Sequence, residues 1–359
     1  MEHYIVYREP ERYSGWPANY GIWSWGNEIA VGFIRGYYAP VRGHARDKSR
    51  PFETMLARSM DGGASWDVAR LNCHVPGGRA LSADEHANEG LRVAEVLDGP
   101  DGPTDPPGGI DFTHPDFALL CARTGLGAGT RAWFYYSYDR GRSWAGPYWL
   151  PMFGQLGVAA RTDYLVNSSS DCHLFLTATR PDGSEGRCFC ARTQDGGRSF
   201  QFVSWIQRDP EVTEIMPASL RLDESRILVA VRCIDKRPGA KVKGWIDLHL
   251  SHDNGATWRY INSPAPDIGS NPPTLNQLSD GRLCITYGYR LRPYGIRARI
   301  SDDEGLTWSD EIILRDDAPT PDLGYPRTVQ RPDGKLVTVY YYNDHPEKER
   351  FIAATLWQP

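Results

Sequence analysis

The chain has 359 residues, 40% of them hydrophobic and 12% aromatic, and its 40 basic side chains stand against 45 acidic ones. The formal net charge of −5 gives no basic field for a phosphate backbone, which excludes general nucleic-acid binding as an expectation. No apolar run approaches the roughly 20 residues that span a bilayer, so no membrane segment is expected. A chain of this length normally forms two or three domains, unless one repeat architecture uses all of it.

The N-terminal residues predict a β-strand over residues 4–7. They contain no basic stretch followed by a long apolar one, so we recognise no secretion signal and expect a cytoplasmic protein. Seven cysteines are an odd number, and most lie in apolar runs, which predicts buried thiols and no disulfide framework. The nine histidines show no metal-ligand spacing, and we expect neither a metal nor another cofactor.

One turn motif recurs along the chain with the pattern Ser/Thr-x-Asp-x-Gly-x-Ser/Thr-aromatic. Its five copies occupy residues 59–66, 137–144, 193–200, 251–258 and 301–308. In each copy the Asp is expected to accept backbone N–H bonds, the Gly to take a positive φ, and the aromatic ring to cover the hairpin. The motif therefore predicts a structural turn, and these aspartates are not read as catalytic or calcium-binding.

The segments between these turns are rich in β-branched and aromatic residues and show no helical periodicity, so the fold is predicted to be all β. Several x-Pro dipeptides, such as Tyr325-Pro326, lead into such segments. Five turn-bearing units and a last unit near 322–357 make six, or about 60 residues each. Radial repetition of four-stranded sheets is the β-propeller arrangement. We predict a single six-bladed β-propeller domain over residues 1–359, with the N-terminal strand closing the last blade, and loop insertions at 76–110 and 235–243.

The innermost strand of each propeller blade begins near the central axis, so residues beside the x-Pro dipeptides are expected to converge on one pocket. They are far more polar than the interiors of the same strands. The residues are Trp16, Asn19, His114, Asp116, Arg161, Asp163, Glu214, Asn271, Asp322, Tyr325 and Arg327.

The five turns resemble the Asp boxes of the sialidase (neuraminidase) superfamily, and the resemblance spans the whole chain. It implies a Tyr nucleophile activated by a Glu, an Asp acid/base, and three Arg that hold a substrate carboxylate. Carried over by position, Tyr325 is the candidate nucleophile, Glu214 the activating carboxylate and Asp47 the acid/base. Arg232 is one candidate for the carboxylate clamp, and Arg290 and Arg292 compete for another place in it.

Two positions depart from the family pattern. Gly15-Trp16-Pro17 replaces the Arg-Ile-Pro of the first motif, and Arg12 is the candidate for the missing Arg. The activating Glu normally stands directly before its Pro, where this chain has Met216, and Glu214 lies two residues earlier. These departures weaken the assignment of sialic acid more than the assignment of a sugar.

The sequence is compatible with three functions. The first is an exo-acting glycoside hydrolase that releases a terminal anionic sugar, either sialic acid or a related keto-sugar or uronate. The second is a uronate lyase using His44 or His114 with a Tyr. The third is a non-catalytic carbohydrate-binding propeller. In each case an oligosaccharide or glycoconjugate is the expected partner, Trp16 is a candidate for stacking on a sugar ring, and the sequence does not fix the oligomeric state.

Overall fold

A computed structural model describes residues 1–41, 43–237 and 242–359. Residues 238–241 of the second predicted insertion lie outside the described residues. The strands, in chain order, are β1 (Glu2–Tyr7), β2 (Arg12–Gly15), β3 (Ile22–Trp25), β4 (Glu28–Tyr37), β5 (Glu53–Ser59), β6 (Asp67–Arg70), β7 (Ala118–Arg123), β8 (Ala132–Ser137), β9 (Ala145–Trp149), β10 (Val158–Ala159), β11 (Tyr164–Val166), β12 (Cys172–Thr179), β13 (Glu185–Thr193), β14 (Gln201–Ile206), β15 (Thr213–Arg221), β16 (Ile227–Asp235), β17 (Lys243–Ser251), β18 (Arg259–Ala265), β19 (Pro273–Gln277), β20 (Leu283–Tyr289), β21 (Tyr294–Ser301), β22 (Ile312–Ala318), β23 (Gly324–Gln330), β24 (Leu336–Tyr342) and β25 (Phe351–Trp357). Short 3-10 helices span Pro17–Asn19, Pro76–Gly78, Asp84–His86 and Val93–Val96.

The strands form six antiparallel sheets, and each sheet is one blade of a propeller. Blades 1 to 6 consist of β2 to β6, β7 to β9, β10 to β14, β15 to β18, β19 to β22, and β23 to β25 with β1. In blades 1 and 3 the inner strand is broken into two pieces that pair with the same neighbour, β4 or β12. The predicted all-β, six-bladed fold is confirmed.

The N-terminal strand β1 lies at the outer edge of blade 6, where it pairs with β25 through contacts such as His3 opposite Thr355. The two ends of the chain therefore close the ring together. Apolar layers between neighbouring blades form the core, and in β24 and β25 every residue is buried. Within the described residues, no helix is long and apolar enough to cross a membrane.

The five repeated turns join the third and fourth strands of blades 1 to 5. In the first copy, Asp61 accepts hydrogen bonds from the backbone and hydroxyl of Ser65 at 2.9 and 2.6 Å, while the Ser59 hydroxyl accepts from the Gly63 amide at 2.7 Å. The Ser65 hydrogen bonds lower the pKa of Asp61 to about 2. The Asp carboxylate accepts hydrogen bonds from within its own turn, as the motif predicts.

Blade 2 differs from the others because, in the part of the chain that the structure describes, it has three regular strands. The Arg123 amide at the end of β7 donates to the Leu81 carbonyl at 3.0 Å, so the insertion preceding the blade supplies its inner segment. Strand β7 is therefore second from the axis. The prediction that His114 and Asp116 begin the inner strand of this blade is wrong, because an irregular segment occupies the inner place.

Candidate active site

A cavity of about 190 Å³ lies where the inner ends of the blades converge. Blades 1, 2, 3, 4 and 6 and the insertion before blade 2 all contribute to it. Its polar and aromatic lining consists of Trp16, Asn19, His44, Glu85, His86, Arg123, Arg161, Glu185, Arg232, Lys236 and Tyr325. Four cationic side chains against two carboxylates leave the wall with an excess of two positive charges, counting both histidines as neutral.

Tyr325 begins blade 6 and has a left-handed backbone, with φ of 51°. Its amide donates to Asn271 Oδ1 at 2.8 Å, and Asn271 Nδ2 donates to the Leu323 carbonyl at 3.1 Å, so Asn271 fixes this turn from blade 5. Gly324, with φ of 106°, is required here, because a Cβ on it would lie 2.4 Å from the Asn271 amide nitrogen. The fold therefore holds the phenol in one place.

The Tyr325 hydroxyl lies in a strongly cationic environment. Arg232 Nη1 donates to it at 3.1 Å, and the Arg290 guanidinium lies 5.5 Å from the ring centroid. Burial raises the pKa of Tyr325, but the charges of Arg232, Arg290 and Arg161 outweigh burial and bring the pKa below its usual value of 10. Among the described residues no carboxylate bonds to this hydroxyl, so the phenolate is favoured by arginines instead.

Three residues at inner blade ends share this left-handed backbone directly before a proline. They are Trp16, Met216 and Tyr325, with φ of 59°, 54° and 51°. A residue before proline normally adopts an extended conformation, so these positions are strained. All three lie near one another: Trp16 and Tyr325 line the cavity, and Met216 Sδ lies 3.5 Å from Arg232 Nη1.

His44 and Asp322 form a hydrogen-bonded pair at the cavity wall. Asp322 Oδ1 lies 2.8 Å from His44 Nδ1, and its two oxygens also accept from the Ala45 amide, the Tyr341 hydroxyl and Arg350 Nε. Burial raises the pKa of Asp322, yet the bond from His44 and the charge of Arg350 hold the pKa far below its usual range. The ionised carboxylate assigns the proton of His44 to Nδ1 and leaves Nε2 as the acceptor.

His86 has the opposite tautomer. Arg46 Nη2 donates to His86 Nδ1 at 2.6 Å, so the ring proton lies on Nε2. Burial, followed by the charge of Arg46, places the pKa of His86 well below its usual value, and the ring is neutral at pH 7. His86 stacks on Trp16 with ring centroids 4.3 Å apart, and both rings line the cavity.

The two carboxylates of the cavity are paired with buried arginines. Glu85 Oε1 accepts from Arg123 at 2.7 Å, and Glu185 Oε1 accepts from Arg161 at 2.6 Å. Glu85 Oε2 is buried and has no hydrogen-bond partner among the described residues. This oxygen can hold or take a proton without breaking an existing bond.

The structure places several of the predicted site residues in or beside this cavity. Tyr325, Arg232, His44 and Trp16 line it, and Arg290 lies behind the Tyr325 ring. Arg292 is exposed and stacks on Tyr294, so of the two competing arginines only Arg290 contacts Tyr325.

Other predicted residues lie outside the cavity. Glu214 points away from it on the opposite face of blade 4, and Asp47 is bonded to the amide and hydroxyl of Ser49. Arg12 pairs with Glu53 at 3.0 Å and stacks on Tyr37.

The remaining predicted residues also have other contacts. His114 lies against Tyr138, and Asp116 pairs with Arg140 at 2.6 Å near the second Asp box. Arg327 lies near the axis, but it donates to the carbonyls of Ala18 and Thr162 and joins blades 6, 1 and 3.

Sequence reasoning missed Glu85, His86, Arg123, Glu185 and Lys236. Glu85 and His86 come from the non-repetitive insertion, which has no periodicity that would aim them at the axis. Arg123 is the last residue of the apolar strand β7 and Lys236 directly follows β16; a cation at the end of an apolar strand is the signal that could have found them. Arg161, one of the predicted pocket residues, completes the basic wall.

A second depression of about 540 Å³ adjoins the cavity and shares Leu126, Glu185, Ile215 and Lys236 with it. Its other charged lining residues include Arg180, Asp182 and Arg237. The cavity therefore opens into a wider polar groove over blades 3 and 4.

The propeller with its Asp boxes and polar axial cavity is of the sialidase-like class. A family model described as the BNR repeat-like domain matches residues 118–338, well over half of the chain, and the chain belongs to this family. No curated protein matches its sequence.

Solved structures with the same fold include proteins of several kinds. A protein of unknown function from Dyadobacter fermentans has a TM-score of 0.72 and 20% identity, covering 99% of this chain and 98% of that one. The K499G mutant of NanB sialidase from Streptococcus pneumoniae has a TM-score of 0.61 and 12% identity, covering 94% and 68%. The α-L-arabinanase of Penicillium chrysogenum, complexed with arabinobiose, has a TM-score of 0.55 and 13% identity, covering 99% of both chains. At these identities the likeness establishes the fold.

Proposed function

We propose that this protein is an exo-acting glycoside hydrolase that releases a terminal anionic sugar. The observation that carries the proposal is the buried Tyr325 phenol with its pKa lowered by arginines, in a cavity with excess positive charge. The cavity of about 190 Å³ lies below the roughly 300–1,000 Å³ of typical ligand pockets, so it suits one sugar ring with the remaining sugars in the adjoining groove. The sialidase and arabinanase folds are consistent with this chemistry.

In the proposed reaction, the Tyr325 oxygen attacks the anomeric carbon while the bond to the leaving oxygen breaks. The charges of Arg232, Arg290 and Arg161 favour the phenolate as the nucleophile and offset its repulsion from the anionic group of the sugar. Arg161, Arg232 and Lys236 line the cavity and supply the charge that attracts that group. The substrate is a sialic acid, a related keto-sugar or a terminal uronate.

We assign the acid/base of this reaction to Glu85, which lines the cavity and whose Oε2 has no hydrogen-bond partner among the described residues. Glu85 protonates the leaving oxygen, and its carboxylate then removes a proton from the water that releases the sugar from Tyr325. Asp47, the position suggested by the family resemblance, lies outside the cavity lining. Asp47→Asn is therefore expected to retain activity that Glu85→Gln loses.

The proposal is tested with a panel of sialosides, keto-sugar glycosides and uronate-capped oligosaccharides, using NMR to identify products. A fluorinated analogue of the cleaved sugar should label Tyr325, detected by peptide mass mapping. Tyr325→Phe should abolish turnover. Tyr340→Phe is the control and should keep it, because Tyr340 is a buried tyrosine of the same blade whose hydroxyl is bonded to Thr355. Labelling at another residue, or full turnover by Tyr325→Phe, would refute the proposal.

A uronate lyase is a second candidate because of the His44–Asp322 pair. His44 Nε2, left as an acceptor, would remove the proton alpha to the uronate carboxylate, and the C–O bond at the beta carbon would break as the double bond forms. Tyr325 would give a proton to the leaving oxygen. Ultraviolet absorption by an unsaturated sugar product favours the lyase, and release of a saturated sugar favours the hydrolase.

A further inference from the structure

Three titratable side chains meet on the face of blade 4 that is turned away from Arg232 and Tyr325. Glu214 lies on β15, and Asp247 and His249 lie on β17, with β16 between the two strands. Residues 247 and 249 are two apart on one strand and therefore share a face. One carboxylate oxygen or ring nitrogen from each residue lies within 4.8 Å of the others.

This cluster is deeply buried and incompletely hydrogen-bonded. Glu214 is 0% exposed, and Asp247 and His249 are each 1% exposed. Glu214 Oε2 and His249 Nε2 have no hydrogen-bond partner among the described residues. A buried polar atom without a partner is costly, and two such atoms in one cluster indicate a missing ligand.

The other carboxylate oxygens of the cluster are held in place. Glu214 Oε1 accepts from the Arg208 amide at 3.0 Å, and Asp247 Oδ1 accepts from Trp245 Nε1 at 2.9 Å and from the Ser263 hydroxyl at 2.5 Å. The Arg208 guanidinium lies 3.7 Å from Asp247 Oδ2. Hydrogen bonds of this kind orient the ligands of metal sites.

We propose that Glu214, Asp247 and His249 bind one divalent transition-metal ion, with zinc the best match, between blades 3 and 4. Two carboxylates and a neutral imidazole are a nitrogen and oxygen donor set that zinc accepts, and its two positive charges neutralise both carboxylates in a region of low dielectric. The nearby thiol of Cys233 is directed to the Val231 carbonyl and is not required.

The site is structural and separate from the cavity. Glu214 is followed by Ile215, which lines the cavity, and by the strained Met216. A bound ion would therefore fix the end of β15 that carries both residues. It also explains a buried Glu on a face otherwise packed with Val229, Val231 and Cys233.

The test uses the full chain, stripped with a chelator and then given zinc or manganese chloride alone. Mass spectrometry of the metal content and calorimetric titration should show one ion per chain. His249→Gln and Glu214→Gln should each weaken binding by at least about tenfold, the scale seen even for residues behind the ligands. His252→Gln removes an exposed histidine from the end of the same blade and should bind as the parent does.

Cobalt provides a measurement on the unmodified chain, because its visible absorption reports nitrogen and oxygen ligands in a tetrahedral site. An absorption band that saturates at one equivalent, and that zinc displaces, supports the site even if a variant fails to fold. Substoichiometric binding of all three ions by the parent chain, or equal binding by His249→Gln, would overturn the proposal. Glu214, Asp247 and His249 would then be held together by protons shared among their side chains, without a metal ion.

Discussion

Asp322→Asn should both destabilise the cavity wall and move the ring proton of His44, because the same carboxylate is bonded to Arg350 and to His44. The Asp322 and Arg350 side chains are each 4% exposed, and Arg350 Nε donates to Asp322 Oδ2 at 2.9 Å. Removing one charge of a buried pair costs about 3–5 kcal/mol, and the amide oxygen of Asn can keep accepting from Arg350. We therefore expect a loss near the lower limit, about 3 kcal/mol of unfolding free energy.

The effect has a defined pH dependence. The pKa of Asp322 is lower in the folded protein than the ordinary value of about 3.9, so its charge stabilises the fold above pH ~4. As the pH falls toward the folded-state pKa, that contribution is lost. The difference between the parent and Asp322→Asn should thus shrink when urea denaturation is repeated in acid. Asp333→Asn, which removes an exposed partner of Arg331, is the control.

Nitrogen NMR of His44 provides the second measurement. An Asn side chain can turn its amide nitrogen toward His44 Nδ1, which moves the ring proton to Nε2 and removes the acceptor from the cavity. The tautomer shift should accompany the loss of stability. Denaturation curves whose separation persists unchanged in acid, or a loss no greater than that of Asp333→Asn, would refute the role assigned to the buried carboxylate.

Two further predictions concern the fold. Ser137→Ala removes the hydroxyl that accepts from the Gly141 amide at 2.9 Å in the second Asp box, and should cost about 1–3 kcal/mol in urea denaturation, with the exposed Ser279→Ala as control. A thiol reagent at neutral pH should modify at most Cys73 in the native protein, because burial raises the pKa of this thiol to about 12 and the other six are fully buried; all seven should react in denaturant.

The sequence was sufficient for the fold because its signals are local and repeated. Each Asp box contains its own hydrogen-bond partners, so five copies specify five hairpins without reference to the rest of the chain. Tyr325 and Arg232 were found for a related reason, since their distance from a recognisable turn fixes their place at a strand end. Glu85 and His86 belong to the insertion before blade 2, where no such distance exists.

The position of Glu214 shows a different limit. Residues 214 and 216 should share one face of a regular strand, but the pairing register shifts between Ile215 and Ala218, and Met216 has a positive φ. The bulge turns Met216 toward Arg232 and leaves Glu214 on the opposite face. Strand alternation alone does not reveal such a bulge.

Met216→Glu tests how Tyr325 is activated. It restores the carboxylate that the sialidase pattern has directly before this proline, and places it beside Arg232, whose Nη1 lies 3.5 Å from Met216 Sδ. If a carboxylate base were the missing element, turnover would rise. The surroundings of Tyr325 predict the opposite, because its pKa is lowered by arginine charges that a new anion would partly cancel.

We therefore expect Met216→Glu to raise the pKa of Tyr325 and to move the acid limb of the pH–rate profile to higher pH. Met216→Gln has the same size without the charge and should leave that limb in place. Difference absorption of the parent against Tyr325→Phe gives the phenol titration directly. An acid limb that stays fixed or moves to lower pH in Met216→Glu would show that the arginines do not set the reactivity of Tyr325.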